Sequence, residues 1–234
     1  MQRRNLLKKS GSSILESVLH LWDSNNSSVS SGIYTQEDTG IIGGQTLTNP
    51  TSSNAPIFNA SDPSFNNNSS FNYDGVDDYF SKSDPSVLES YSSGAITAVI
   101  NIPVLATLGV FSICSPGNLR ACGLRISGSE VQCYVLGSTT GIHIMSSTTP
   151  LVLNKTTVVT VASTGTEYKI LINGVDAPFT LNGTNDGAWM SDMAGALSLV
   201  TLGDIRVTVN FPFRGTIGEV LVSEWRNLSY QQEI

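Results

Sequence analysis

The chain is predicted to fold as an all-β sandwich of two packed antiparallel sheets, and three observations carry that reading. Apolar runs are short and β-branched, at residues 95–102, 107–114, 119–126, 131–136, 157–162, 197–202 and 217–222, which is strand length rather than helix length. A period of two is clear in Val131-Gln132-Cys133-Tyr134-Val135 and across residues 167–172. No stretch keeps a helical period for three turns, while Gly, Asn and Ser punctuate the runs throughout. Many short strands separated by turn residues make a sandwich, and such a fold reaches 234 residues as a single domain.

Taken in order, residues 1–13 form a basic arm in which Arg3, Arg4, Lys8 and Lys9 supply four of the twelve basic residues. Ser13-Ile14-Leu15-Glu16 has the capping-box pattern of a helical turn, and Ile14, Leu15, Val18, Leu19 and Trp22 would share one face of a longer helix. The domain proper is taken as residues 14–234. Residues 24–70, with Asn25-Asn26-Ser27-Ser28 and Asn66-Asn67-Asn68-Ser69-Ser70, have loop chemistry and are expected to be the least structured part. Residues 71–80 are two aromatic-rich strand fragments joined by a turn at Asp74-Gly75, where Gly accepts the positive φ that most residues resist. Ser127-Gly128-Ser129 is taken as a three-residue hairpin loop. That register sets Cys122 across from Tyr134 and turns Cys133 to the other face.

Four segments in chain order carry a family resemblance. Val18-Leu19-His20-Leu21-Trp22-Asp23 is similar to an opening L-LWLD strand, and residues 71–80 to an F-DG-DDY strand pair. Tyr168-Lys169-Ile170-Leu171-Ile172-Asn173-Gly174-Val175 is similar to a YINGV hairpin. Leu202-Gly203, Phe213-Arg214-Gly215-Thr216-Ile217-Gly218-Glu219-Val220, Leu228-Ser229 and Glu233-Ile234 are similar to a closing LG…F-G-IGEV…LS…EI strand. From about residue 14 onward the chain therefore resembles the concanavalin A-like, laminin-G-like jelly-roll family. The resemblance implies a jelly roll, and it favours a turn followed by a strand over a longer helix before Trp22.

Composition narrows the function classes. Charged residues are only 13% and the net charge is −7; beyond the arm, eight basic residues face nineteen acidic ones. An acidic, Asn- and Gly-rich β-domain lacks the phosphate-neutralising surface on which nucleic-acid affinity rests. No apolar stretch has the length of a membrane span, and residues 14–22 are too short and too interrupted, by Glu16 and His20, for a signal peptide. Cys114, Cys122 and Cys133 are an odd count without CxxC spacing, expected as free buried thiols of a reducing compartment. Sequons at Asn59, Asn154 and Asn182 follow from the richness in Asn, Ser and Thr.

The resembled family includes glycoside hydrolases, whose paired carboxyl groups sit about 5–9.5 Å apart and in this branch lie on a tight E-x-D-x-E. Nothing here matches. Glu219 and Glu224 are an odd number of residues apart, Asp77 and Asp78 are adjacent, and His143 reads as a plain strand histidine, so no enzyme and no cofactor are expected. Asp74, Asp77 and Asp78, and Asn185, Asp186 and Asp192, are the candidate calcium ligands; neither spacing specifies a site, and no metal is expected. The loop at 182–192 is the candidate glycan site. Trp189 would stack on a sugar face while Asn185, Asp186 and Asp192 bond hydroxyls; the alternative is that Trp189 folds back into the sandwich.

The resemblance further implies a bacteriophage virion component, a fibre, spike or decoration protein, assembled in the host cytoplasm. Its jelly roll would face outward toward host-surface glycan, its arm would anchor it to other virion proteins, and it would form a homo-oligomer such as a trimer. The alternatives are a non-viral carbohydrate-binding protein without catalysis and, more remotely, a glycoside hydrolase.

Overall fold

In the computed structural model, the described residues are 18–138, 141–193 and 197–225; Arg3, Arg4, Lys8 and Lys9, the capping-box segment at 13–16 and residues 228–234 lie outside them. The strands are β1 (Val18–Ser30), β2 (Ile33–Asp38), β3 (Leu47–Thr48), β4 (Ile57–Asp62), β5 (Asn68–Asp74) and β6 (Phe80–Ser83). They continue with β7 (Gly94–Asn101), β8 (Ala106–Cys114), β9 (Ala121–Gly128), β10 (Glu130–Ser138), β11 (Gly141–Ser147) and β12 (Thr157–Ser163). Last come β13 (Tyr168–Ile172), β14 (Val175–Asp176), β15 (Phe179–Asn182), β16 (Leu199–Leu202) and β17 (Arg214–Ser223). Helix among the described residues is limited to single 3-10 turns.

Antiparallel pairing sorts these strands into two layers. In the first, β17 is central. It pairs with β7 along one side, and on the other with β5 through Arg214–Ile217 and with β1 through residues 219–223. β12, β13 and β14 extend the layer beyond β7, β4 lies beyond β5, and β2 lies beyond β1. The second layer runs β3-β6-β16-β8-β9-β10-β11-β15. A short β2–β3 pairing, Thr35 opposite Thr48, links the two at one edge. The jelly-roll sandwich expected from the sequence is thus what the chain forms.

The core lies between the layers, where Trp22, Phe71, Phe80, Ile96, Leu124, Val161 and Val220 are fully buried. Phe71 meets Phe80 edge-on at 4.9 Å and Tyr73 meets Phe213 edge-on at 5.7 Å, arrangements in which a ring edge faces a ring face. The second sheet also carries an apolar cluster on its outer face: Cys114, Ala121, Tyr134 and Leu136 pack with Ile205 and Val207. Residues 203–213 fold over that face, tied down by Gly109 N–H to the Phe211 carbonyl at 2.9 Å and Phe213 N–H to the Gly203 carbonyl at 2.8 Å.

Three expectations need correction. Residues 24–70 hold most of β1 together with β2, β3, β4 and part of β5. Their Asn and Ser side chains suggested loops, but the ladder is built from backbone groups, and one face of each of these strands meets solvent. Second, β5 and β6 do not form a hairpin: β5 belongs to the first sheet and β6 to the second, so the turn after Asp74 carries the chain across the sandwich. Third, the β9–β10 turn has two residues, Gly128 and Ser129, because Ser127 pairs with Glu130. Gly128 has φ 60°, as the first central residue of a type II′ turn requires. Cys122 therefore opposes Val135 and Cys133 opposes Leu124, which places both cysteines on the core face as diagonal neighbours. Both thiols are free and buried, and burial pushes both pKa values up.

Gly123 sits under Tyr134, where a Cβ would stand 2.1 Å from the Phe111 carbonyl oxygen and 2.6 Å from the Tyr134 hydroxyl. Gly123→Ala should therefore lower stability by about 2–3 kcal/mol in chemical denaturation, the cost of overpacking a closed site. Gly128→Asn, at a hairpin position with nothing within 4 Å, should cost far less, since Asn tolerates a left-handed backbone.

Candidate functional site

The loop at 182–192 does not present its tryptophan. Trp189 is fully buried and packs in the main core with Met190 and Met193. The polar side chains expected to meet a sugar instead hold the loop in place. Asn185 Oδ1 accepts the Tyr168 N–H at 2.8 Å, and Asp186 Oδ1 accepts the Ala188 N–H at 3.0 Å and the Tyr168 hydroxyl at 3.3 Å. Asp192 Oδ2 accepts the Trp189 N–H at 2.7 Å. Burying an indole gains more than stacking it on a sugar in water, and these bonds fold the loop around it. The inward alternative is the one realised, and Trp189 is not a stacking platform.

The turn after β5 gathers what strand alternation would have separated. Ligand atoms of Asp74, Asp77 and Asp78 lie within 4.8 Å of one another. Each carboxylate closes part of the turn: Asp74 Oδ1 accepts the Val76 N–H at 2.7 Å, Asp78 Oδ2 the Asp74 N–H at 2.9 Å, and Asp77 Oδ2 the Asn54 side-chain amide at 2.8 Å. Burial, together with the charges of Asp74 and Asp77, raises the Asp78 pKa. The buried His20 is a brace: its Nδ1 lies 2.6 Å from Asp38 Oδ2 and its Nε2 2.9 Å from the Tyr91 hydroxyl. His143 is likewise buried, with Nδ1 2.9 Å from the Thr184 carbonyl oxygen.

The most ligand-ready surface is one that the expected hairpin register concealed. With Ser127 opposite Glu130, Arg125 lies directly across from Gln132, Gln132 across from Ser146, and Ser146 across from Thr180. These four side chains share the outer face of the second sheet and form a polar row over β9, β10, β11 and β15. Arg125 Nε–H donates to Gln132 Oε1 at 2.7 Å, and Gln132 Nε2–H donates to the Ser146 hydroxyl at 2.7 Å. Arg125 and Ser146 are half-buried and Thr180 is exposed. Aromatic rings stand beside the row: the Arg125 guanidinium carbon is 5.4 Å from the Tyr134 ring centre and 5.9 Å from that of Phe211. Burial lowers the Arg125 pKa, yet guanidinium stays charged at any working pH.

Phe211 is positioned by Asp204, whose Oδ1 accepts the Phe211 N–H at 3.0 Å while Oδ2 accepts from Arg206 at 3.0 Å. Burial pushes the Asp204 pKa up to about 6, despite Arg206 and these hydrogen bonds. The face thus combines hydroxyls, a guanidinium and the half-buried Phe211 ring on a rigid sheet, with Gln132 and Tyr134 buried as its supports, a set suited to sugar rings and their substituents.

No family model matches the chain, and no curated protein matches its sequence. Solved structures do share its fold. Domain 4 of AbnA, a GH43 extracellular arabinanase from Geobacillus stearothermophilus in complex with arabinotriose, superposes with a TM-score of 0.58 at 16% identity, covering 93% of this chain and 97% of that one. The CBM40 of the Ruminococcus gnavus IT-sialidase, bound to α2,3-sialyllactose, does so with a TM-score of 0.55 at 16% identity, over 69% of this chain and 94% of the module. A sialidase of Trypanosoma rangeli gives a TM-score of 0.60 at 14% identity, over 93% of this chain but only 32% of the sialidase. The fold is therefore that of jelly-roll domains found in carbohydrate-active proteins.

Two measurements follow. Trp189→Ala should lower stability by about 3–5 kcal/mol in chemical denaturation, because it empties a closed core site. For Asp204, the folded pKa of about 6 lies above the ordinary value of 3.8, so its contribution to stability is full below that ordinary value and is lost as pH rises through 6. Asp204→Asn lacks this titration, so the stability of the native chain minus that of the variant should fall between about pH 4 and pH 7.

Proposed function

We propose that this chain is a non-catalytic glycan-binding module that uses the outer face of its second sheet. The observation that carries the reading is the row Arg125-Gln132-Ser146-Thr180 on paired strands, hydrogen-bonded from Arg125 to Ser146, with the half-buried Phe211 of the covering loop beside it and Tyr134 buried under the guanidinium. Sugar recognition needs amides and hydroxyls at fixed positions beside an aromatic surface, and a sheet holds them with little ordering still to be done on binding. Support also comes from the two domain-scale likenesses, one complexed with arabinotriose and one with sialyllactose. The sequence around Glu219 and Glu224 is not an E-x-D-x-E, the pattern of the hydrolases, so the reading includes no catalysis. Glycan binding by this face requires neither a virion placement, an anchoring arm nor a trimer.

Screening the full chain against immobilised oligosaccharides should reveal binding to at least one class, with no release of reducing ends from soluble polysaccharide. Thr180→Trp, at an exposed position, should block the face and reduce that binding by on the order of tenfold while leaving the fold intact. Binding that survives Thr180→Trp unchanged would move the site elsewhere, and a chain that binds no glycan would overturn the reading.

A further inference from the structure

The Arg125 guanidinium has five N–H donors, and the structure uses one of them, Nε–H to Gln132 Oε1 at 2.7 Å. Among the described residues the ion pairs are His20–Asp38, His143–Asp186, Lys169–Glu167 and Arg206–Asp204, and no carboxylate oxygen lies within 4.0 Å of Arg125. Glu130, the nearest acidic residue in the pairing scheme, is exposed, and its Oε2 is 3.4 Å from Gln132 Nε2. Arg206 shows the ordinary solution in the same loop-covered region: it stacks on the Tyr79 ring at 4.4 Å and also pairs with Asp204 at 3.0 Å. Arg125 has the stacking without the anion.

A half-buried cation with no counter-ion among the described residues is held at a cost, because none of them offsets its desolvation with an opposite charge. The Tyr134 and Phe211 rings, together with the bond from Nε, fix the plane of the guanidinium and leave its terminal nitrogens undirected toward protein. A planar fork held in this way matches a carboxylate, which accepts two parallel N–H bonds. Beside it in the row, Ser146 and Thr180 offer hydroxyl groups suited to sugar hydroxyls, while the buried Gln132 holds the guanidinium in place.

We infer that the outer face of the second sheet selects saccharides carrying a carboxylate, with Arg125 as the residue that receives it. This rests on the reading of that face as glycan-binding. The rest of the chain opposes it weakly, since the net charge is −7, so the selectivity is local to the guanidinium rather than a product of the overall field.

The test is calorimetric titration of the full chain with two matched pairs of probes: α2,3-sialyllactose against lactose, and trigalacturonate against its methyl ester. At least one acidic probe is expected to bind ten times more tightly than its neutral counterpart. Arg125→Gln should bring the acidic and neutral affinities together, the ratio between them being the readout because Arg125 also belongs to the row that binds the neutral sugar, and Arg125→Lys should restore only part of that ratio, since an ammonium cannot make the bidentate contact. Circular dichroism of both variants establishes that they fold. Equal binding of acidic and neutral probes by the native chain, or a preference that survives Arg125→Gln, would show that Arg125 is only a stacked brace. That result would overturn this inference while leaving glycan binding intact. Failure of all four probes, with binding of other neutral glycans in the oligosaccharide screen, also overturns it alone; binding of no glycan at all removes both.

Discussion

The register of the β9–β10 hairpin governs the second sheet. Side chains alternate with a period of two, so a slip of one residue would exchange the inner and outer sets of one strand relative to its partner. In the observed register, Cys122, Leu124, Ile126, Val131, Cys133 and Val135 all reach the core. The same choice sends Arg125, Gln132 and Tyr134 outward. The turn that fixes it is only Gly128-Ser129, and the glycine provides the positive φ. Core and candidate site are thus two faces of one decision, and neither could be changed without the other.

That coupling explains what could be read from the chain and what could not. The strands at β7, β8, β12 and β17 announce themselves by apolar content, because their burial on the core side leaves a direct hydrophobic signature. The polar strands β1 beyond Asp23, β2 and β4 carry no such mark, since their stability comes from backbone pairing with the next strand in the chain, β1 with β2 and β4 with β5, which leaves no apolar signature. The site fell between these cases. Arg125 and Gln132 stand seven residues apart and look unrelated until the turn length is known; a three-residue loop sets them out of line, and a two-residue Gly-X turn aligns them. Trp189 misled for the opposite reason. An aromatic among Asn, Asp and Gly looks exposed, yet those polar groups bond the loop's own backbone and close it over the indole.

The outer face of the second sheet is not uniform. Toward β16 it is sealed by residues 203–213, with Ile205 and Val207 on Cys114, Ala121 and Leu136. Toward β15 it opens onto Ser146 and Thr180. Phe211 marks the border between the two halves, and it is held there by a carboxylate whose ionisation is itself penalised by burial. A loop that seals half of a sheet while setting a ring beside the other half gives the open half a wall at no extra cost in ordered chain. Related folds that act on or accompany sugars differ from this chain at more than four positions in five, so the likeness concerns the scaffold, and the chemistry has to be argued from this chain's own side chains.

The central place of β17 has a consequence for how the molecule is made. Synthesis proceeds from β1 onward, but β1, β5 and β7 all await the same partner, Arg214–Ser223, which is separated from β1 by nearly the whole described chain. Until that segment leaves the ribosome, the first layer has three unsatisfied strand edges and the core beneath it has no lid. Folding is then set by a late, long-range closure instead of by local hairpins, which makes the nascent chain a natural client for factors that mask exposed strands.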